Sequence, residues 1–352
     1  MSRTRSAVFA VLPLMCGLNL ELGYYWHLVF GQAKLLWNRQ PISNLLASRH
    51  LDREVRERLE FIQEVRRFAE KQIGLARSRN YGTYIDIGEG PVSWQLTASP
   101  KDRIEPVQWT YPVVGRFPYR GYFDLDRAKR ERNRLEARDF DTLLRPVGAY
   151  STLGWFEDPI LSTMLRYGDG DLAELIIHEL AHATVWIPGE VSFNESLATF
   201  VGEAGALQFM RQRHGQESAV VRGMLDRRYD ERTFSRFMND VANELQALYG
   251  SERTYGEKLK KREVIFESAK RHFYRLDLKT GAYSRFPRRR LNNAVMMAYR
   301  TYHEKVDVFD RVYLTLDGDL KAAVRIFKEC ESQTDPSRYL EDWLQKNRGR
   351  HR

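Results

Sequence analysis

The clearest amphipathic pattern in the chain lies between residues 52 and 75. Apolar residues recur there at steps of three and four positions, namely Val55, Leu59, Ile62, Val65 and Phe68. Charged residues fill the positions between them, so the apolar side chains would share one face of a helix. We therefore predict a long amphipathic helix over residues 52–75.

The pattern changes between residues 80 and 123. β-Branched and aromatic residues nearly alternate with polar ones over 81–87, 92–96 and 111–123, and glycine and proline separate these segments. Alternation with a period of two is typical of strands. The sequence predicts a small sheet here, followed by a charged helix over 126–144 and a further strand over 148–156.

The remainder of the chain is predicted to be mainly helical. The predicted helices cover 172–186, 194–213, 234–249, 258–276, 291–305 and 320–331. Helices around one small sheet predict an α+β fold that is predominantly helical, with a helical C-terminal part.

We expect two parts in the domain organisation. Residues 1–22 form a signal-like or membrane-anchor segment, and residues 23–352 form a single unit. Within that unit we distinguish N-terminal helices, a small sheet plus helix, two central helices and the helical C-terminal part, over 23–79, 80–165, 166–214 and 215–352.

Composition and charge narrow the class of protein. The chain has 352 residues, of which 43% are hydrophobic and 29% are charged, as in ordinary globular proteins. The formal net charge is +9, but the charges are dispersed and no nucleic-acid-binding motif accompanies them. We expect no nucleic-acid partner. Cys16 and Cys330 lie too far apart in sequence to indicate a disulfide framework.

The N-terminus has the features of an export signal. Arg3 and Arg5 precede an apolar run over 7–18, which is shorter than the roughly 20 residues that span a bilayer. Cys16 suggests a lipoprotein, although Met15 occupies a position that favours a small residue. We expect an exported protein, periplasmic or membrane-associated through its N-terminus. An uncleaved anchor and a buried helix of a cytoplasmic protein are the alternatives.

The residues that suggest a metal site lie between positions 178 and 195. His178 and His182 are four residues apart on the helix predicted over 172–186, so both imidazoles can reach one metal ion. Glu195, on the next predicted helix, supplies a carboxylate. Two histidines, one carboxylate and an open fourth position are typical of hydrolytic zinc sites. We expect one Zn²⁺ per chain, with Glu179 as the general base that takes a proton from a zinc-activated water. The alternative is a helix whose histidines are hydrogen-bonded core residues.

Further residues are candidates for roles around this site. Glu157 and Asp158 could hold the ammonium group of a substrate, Tyr302 could stabilise the transition state, and Glu203 could orient a ligand from a second shell. Asp169 and Asp171 are alternatives to Glu203. The alternative is that these residues have no functional role. Glu157 and Asp158 would then be loop acids, Tyr302 a core aromatic, and the remaining residues surface acids.

The residues above carry a resemblance to a known group of enzymes. The His178–Glu195 segment resembles the gluzincin peptidases, whose third ligand comes from an Asn-Glu-x-x-Ala-like segment, here beginning at Asn194. More closely, the chain is similar to a bacterial family of zinc aminopeptidases often described as exported or lipoprotein-like. The segments that carry this likeness also include 119–123, 149–156 and 291–294. The resemblance implies a zincin-like core, a zinc cofactor and peptide-bond hydrolysis.

Two departures qualify what the resemblance implies. Twelve residues separate His182 from Glu195, so the turn between the two helices must be tight. A Gly-x-Met-Glu-Asn segment, with which one large aminopeptidase family binds the substrate amine, is missing. We predict a zinc-dependent peptidase, and an aminopeptidase first. The alternatives are a zinc endopeptidase or processing protease, and a non-catalytic membrane-tethered binding protein with a vestigial metal site.

Overall fold

The computed structural model describes residues 37–88, 90–111, 115–148, 157–300 and 306–347. Eight strands lie within these residues: β1 Gln40–Pro41, β2 Thr83–Ile85, β3 Ser93–Pro100, β4 Trp109–Tyr111, β5 Gly115–Phe117, β6 Arg120–Tyr122, β7 Phe140–Val147 and β8 Ile160–Leu161. Eleven α-helices accompany them: α1 Ile42–Ala47, α2 Arg53–Phe68, α3 Leu125–Glu136, α4 Asp169–His182, α5 Val191–His214, α6 Ala219–Tyr249, α7 Tyr255–Phe273, α8 Asn293–Arg300, α9 Val306–Thr315, α10 Leu320–Glu329 and α11 Pro336–Asn347. The predicted α+β, predominantly helical fold class is confirmed.

The amphipathic helix predicted over 52–75 is present as α2, with Ala69–Ile73 continuing it as a π-helical turn. Asp52 starts α2, since its side chain accepts a hydrogen bond from the backbone N–H of Val55 at 3.1 Å. Leu59, Ile62 and Val65, which share the predicted apolar face, are fully buried. The apolar face of α2 therefore packs into the core.

The strands form small sheets at two different places in the molecule. β2 lies between β1, to which it is antiparallel, and β8, to which it is parallel. β3 lies between β6 and β7 and is antiparallel to both, while β4 and β5 form a separate hairpin. The pairing of β2 with β8 is important for the site, because β8 leads directly into the segment before α4.

The prediction of a helix over 126–144 is wrong for the second half of that range. Helix α3 ends at Glu136, the chain turns through Asp139 in a left-handed conformation with φ 65°, and β7 follows. β7 pairs with β3 along its whole length, from Ser93 opposite Val147 to Pro100 opposite Phe140. Tertiary pairing with β3 overrides the local helical pattern. The strand predicted over 148–156 lies almost entirely outside the described residues.

Three groups of buried side chains hold the described elements together. The largest joins α2, α4 and α5 to the C-terminal helices α9, α10 and α11. A second lies between the C-terminal half of α6 and α7 and α8, and a third lies between β3 and α3. Helices α9 and α11 were absent from the sequence prediction, yet Phe309 of α9 is completely buried against Phe193 of α5. The site helices therefore rest on a segment whose helices the sequence only partly indicated.

The N-terminal segment 1–22 lies outside the described residues, so its predicted role stays a prediction. Within the described part of the chain, no helix is both long enough and apolar enough to cross a membrane.

A buried group of polar side chains, Asp141, Arg262 and Asn293, connects β7 to α7 and α8, and we call it the polar bracket. Arg262 donates two hydrogen bonds to Asp141, at 2.7 and 3.2 Å, and both side chains are at most 7% exposed. Asp141 also accepts the backbone N–H of Asn293 at 3.0 Å, and the Asn293 side chain donates to the carbonyls of Pro100 and Arg103. The 291–294 segment thus has a structural role, joining the sheet to the helices.

We expect Arg262→Ala to lower the free energy of unfolding by about 3–5 kcal/mol, because it leaves Asp141 buried without its counter-charge. Urea unfolding at neutral pH measures this loss. The matched control is Arg53→Ala, which removes an exposed ion pair to Glu57 and should cost less than about 1 kcal/mol. Similar losses in the two variants would contradict the structural role of the bracket.

Candidate metal centre

His178, His182 and Glu195 converge in the structure. The two imidazole rings lie 4.8 Å apart between centroids and are nearly perpendicular, at 86°. Glu195 reaches both from α5: its Oε2 is 3.7 Å from His178 Nε2 and its Oε1 is 3.6 Å from His182 Nε2. One ligand atom from each residue lies within 4.8 Å of the other two. Among the described residues, this is the group of three or more His, Cys, Asp or Glu side chains that could hold a metal ion.

These separations fit a shared metal ion better than direct hydrogen bonds. Distances of 3.6 and 3.7 Å between Nε2 and carboxylate oxygen are too long for good hydrogen bonds. Ligand atoms about 2.1 Å from a tetrahedral zinc ion lie about 3.4 Å from one another, close to the observed spacing. Two imidazole nitrogens and one carboxylate oxygen also form a donor set that suits zinc.

A tight turn positions the third ligand. Helix α4 ends at His182 and α5 begins at Val191, so only eight residues connect them. The buried carboxamide of Asn194 closes this turn, because its Oδ1 accepts the N–H of Ile187 at 3.0 Å and its Nδ2 donates to the carbonyl of Ile187 at 2.8 Å. Asn194 therefore fixes the start of α5, and with it the adjacent Glu195.

Two glycines on α5 allow the site helices to approach each other. A Cβ atom on Gly202 would lie 3.0 Å from the carbonyl oxygen of Glu174 and 3.1 Å from Cβ of His178. On Gly205, a Cβ atom would lie 2.6 Å from the side chain of Ile73. The sequence prediction overlooked both residues. The available signal was a pair of glycines three apart inside a helix, where glycine is unfavourable unless packing requires it.

The charges of the three ligands influence one another. Burial by itself lowers the pKa of His178, but Glu195, Glu179 and Glu174 outweigh it and raise that pKa above its ordinary value. Burial by itself would raise the pKa of Glu195, but His178 and His182 lower it far below the usual range of a carboxyl group. Glu195 is therefore ionised at any working pH, as a metal ligand must be.

A group of half-buried acids lies near His178. Burial, followed by the charges of Glu203, Glu231 and Asp171, raises the pKa of Glu174 to about 8. Burial and Glu203 likewise raise the pKa of Glu231 to about 7. The described residues provide no hydrogen-bonded or ion-paired cation for Glu174. The surroundings of His178 therefore carry an excess of carboxyl groups.

Glu203, which was predicted to orient a metal ligand, belongs to the same group. Burial raises its pKa, although Arg228 and Arg232 oppose this effect. Its Oε2 is 2.8 Å from Nε of Arg228, which also lies 3.4 Å from Asp310 on α9. The residue before it on α5, Gly202, lies against Cβ of His178. That Glu203 orients a metal ligand stays a prediction.

The other predicted site residues have different surroundings. Glu157 lies at the surface, where its carboxylate is 3.1 Å from Arg79 and 3.9 Å from Arg39. Asp158 is 1% exposed, and its backbone bonds to Asn80 and Tyr81. Tyr302 lies outside the described residues. The alternatives to Glu203 are paired with arginines on other helices: Asp169 with Arg58, and Asp171 with Arg227.

The raised pKa of Glu174 predicts how stability depends on pH. The folded protein keeps the proton of Glu174 up to about pH 8, whereas the unfolded chain loses it at about pH 4.3. The contribution of this proton to stability is therefore complete below about pH 4.3 and is lost as the pH rises to about 8. We expect Glu174→Gln to flatten the fall in the unfolding free energy of the metal-free protein over this interval, by about 1.4 kcal/mol for each unit of pKa difference. Urea unfolding at about pH 5.5 and about pH 8 measures the slope.

The control for this measurement is Glu244→Gln, which changes an exposed acid on α6 and should leave the slope as in the wild type. An unchanged slope in Glu174→Gln would show that Glu174 is ionised in the folded protein.

Comparison with known proteins gives one match. Residues 23–340 match the family described as "Putative aminopeptidase". Searches of curated proteins and of solved structures return no match. Because the match covers most of the chain, including the metal centre, the protein belongs to this aminopeptidase family.

Proposed function

We propose that the chain is a zinc-dependent aminopeptidase with a zincin-like catalytic core. The observation that carries the proposal is the convergence of His178, His182 and Glu195, next to Glu179, on two closely packed helices. Membership of an aminopeptidase family supports peptides as the substrate class.

The residues around the metal centre would divide the reaction between them. A bound zinc ion would act as a Lewis acid that polarises the scissile carbonyl and acidifies water. His178 and His182 would bind the ion as neutral imidazoles, and Glu195 as a carboxylate. Glu179, which follows His178 on α4, would take a proton from the attacking water and transfer it to the leaving amine.

Membership of the aminopeptidase family supports action at a free N-terminus. Such an enzyme needs a carboxylate that binds the ammonium end of its substrate. Of the two acids predicted to bind the ammonium group, Asp158 remains our proposed contact. Glu157 is already neutralised by Arg79 and Arg39.

The sequence before residue 23 leads us to propose an exported, membrane-associated protein. The basic start, the apolar run and Cys16 support this location. Mass analysis of the mature N-terminus distinguishes a lipidated Cys16, a cleaved signal and an intact anchor. An intact, unmodified N-terminus on protein from the cytoplasm would contradict export.

We expect Glu179→Gln to bind zinc stoichiometrically and to lose peptidase activity by about 10²–10⁴-fold in kcat, because the amide cannot accept the proton of water. Zinc content and hydrolysis of aminoacyl-chromogenic amides are measured on the same preparations. Glu244→Gln, on the exposed face of α6, is the control and should keep full activity. Equal activity in Glu179→Gln and wild type, or no zinc in either, would contradict the proposal.

Exopeptidase and endopeptidase action differ in their need for a free amine. We expect the wild type to cleave aminoacyl amides at least about 10²-fold faster, in kcat/KM, than their N-acetylated counterparts, since acetylation removes the ammonium group and leaves the carboxylate that would bind it unpaired. Preference for the acetylated substrates, or for internal bonds of longer peptides, would favour the endopeptidase alternative.

A further inference from the structure

Positive charge is concentrated in one segment of the chain. Residues 270–290 contain eight lysines and arginines and one aspartate, so this segment carries a formal charge of +7 out of the +9 of the whole chain. Over the rest of the sequence, the two signs nearly cancel. A surface with so large an excess of one sign attracts partners of the opposite sign.

The fold brings the two ends of this segment together. Phe273, in the last turn of α7, packs against Phe286, and the centroids of these two buried rings are 5.2 Å apart. Phe286 begins a short 3₁₀ helix that ends at Arg288. The cations at the end of α7 and those around this short helix therefore flank the same buried contact and lie side by side.

The loop between the two ends is fixed to α6. Asp230 of α6 is fully buried, and its carboxylate accepts the backbone N–H groups of Lys279 and Thr280 at 2.6 and 2.7 Å. Tyr283 stacks on Phe234 of α6, with the ring centroids 4.0 Å apart. Because these contacts are already made in the free protein, a partner would not have to order the segment when it binds.

Six arginines of this segment are exposed and have no counter-charge. The two lysines are neutralised, Lys270 by Glu267 and Lys279 by Asp277, each at 2.7 Å. By contrast, no carboxylate oxygen of the described residues lies within 4.0 Å of the arginine side chains. We call the six exposed residues the basic patch: Arg271, Arg275, Arg285, Arg288, Arg289 and Arg290.

An exposed aromatic side chain accompanies the basic patch. Tyr274 is 76% exposed and stands between Arg271 and Arg275 in the sequence. Tyrosine is favoured at the boundary between lipid and water, because its ring is apolar and its hydroxyl group stays hydrated. The segment has no phosphate-binding glycine loop and no repeat of basic and aromatic residues, which nucleic-acid partners would favour. These features favour a lipid surface as the partner.

We infer that the basic patch binds the anionic headgroups of a phospholipid membrane and holds the folded part of the protein against the bilayer surface. Guanidinium groups suit this partner, since they form paired hydrogen bonds to phosphate oxygens. Each arginine near an anionic bilayer strengthens binding about fivefold. The inference adds a second contact to the one proposed for the N-terminal segment, and it does not depend on peptidase activity.

The wild type gives the first test. The full-length protein is sedimented with vesicles of phosphatidylcholine alone and with vesicles that also contain phosphatidylglycerol. We expect at least about 10²-fold tighter binding to the anionic vesicles at about 0.1 M salt, and loss of this preference at about 1 M salt, where charges are screened beyond about 3 Å. Insertion of an apolar or lipidated N-terminus would act on both kinds of vesicle alike. Equal binding to both kinds at low salt would overturn the inference.

The second test removes arginines from both ends of the basic patch. We expect the combined variant Arg271→Gln, Arg288→Gln and Arg290→Gln to lose about 10²-fold of its preference for anionic vesicles. These three guanidinium groups make no hydrogen bond to the described residues, so the urea unfolding curve should match that of the wild type. A preference within about threefold of the wild type would contradict the role of the patch.

The matched control changes the net charge equally at other places. Arg130, Arg325 and Arg338 are exposed on α3, α10 and α11, and none of them has an ion pair among the described residues. We expect the combined glutamine variant of these three to keep its preference for anionic vesicles within about threefold. An equal loss in both triple variants would show that only net charge matters, and it would overturn the inference.

The remaining outcomes separate the partners and the two proposals. Tighter binding of the wild type to a DNA duplex than to anionic vesicles at equal phosphate concentration, lost in the patch variant, would overturn the lipid partner in favour of nucleic acid. Preference for anionic vesicles without hydrolysis of aminoacyl amides would support the inference and overturn only the proposed function.

Discussion

The close approach of helices α4 and α5 is the constraint on which the site depends. A glutamate side chain is short, so Glu195 can share a metal ion with His178 and His182 only if the two backbones nearly touch. Gly202 makes this contact possible directly behind His178, and Asn194 closes the turn at the other end of the pair. The helices are thus fixed at both ends, and the ligand spacing follows from backbone packing more than from side-chain flexibility.

The second consequence of this packing is electrostatic. The acids that surround His178 lie on three helices, α4, α5 and α6, and are held away from solvent. Arg228 and Arg232 neutralise part of their charge through Glu203 and Asp310. Burial raises the pKa of Glu174 to about 8 and that of Glu231 to about 7, so both acids hold protons over much of the neutral range, whereas Glu195 stays ionised at the ligands.

The loop that is attached to the end of α4 comes from a different part of the fold. Residues 75–82 connect α2 to β2, and long-range hydrogen bonds attach them to α2, to Asp158 and to the end of α4. Tyr81 forms the bonds to α2 and to Asp158 through its backbone, with φ at +60°, while Ala76 forms the bond to Thr184. The fold therefore supplies the metal ligands from a helix pair and attaches a loop beside them, each held by its own set of contacts. The bracket of Asp141, Arg262 and Asn293 serves a separate purpose, since it joins the second sheet to the later helices.

The sequence by itself determined the elements whose signal is local. The period of α2, the i and i+4 histidines and the carboxylate of Glu195 were all readable, because helical geometry alone brings such residues together. It did not reveal that residues 140–147 pair with β3, because the partner strand lies about fifty residues away and local preference favoured a helix. The contact of residues 75–82 with α4 was equally hidden. No spacing rule connects Ala76 to Thr184, and only the packed chain brings them together. Ligand identity thus followed from helical periodicity, whereas the surroundings of the metal centre were decided by contacts between residues far apart in the chain.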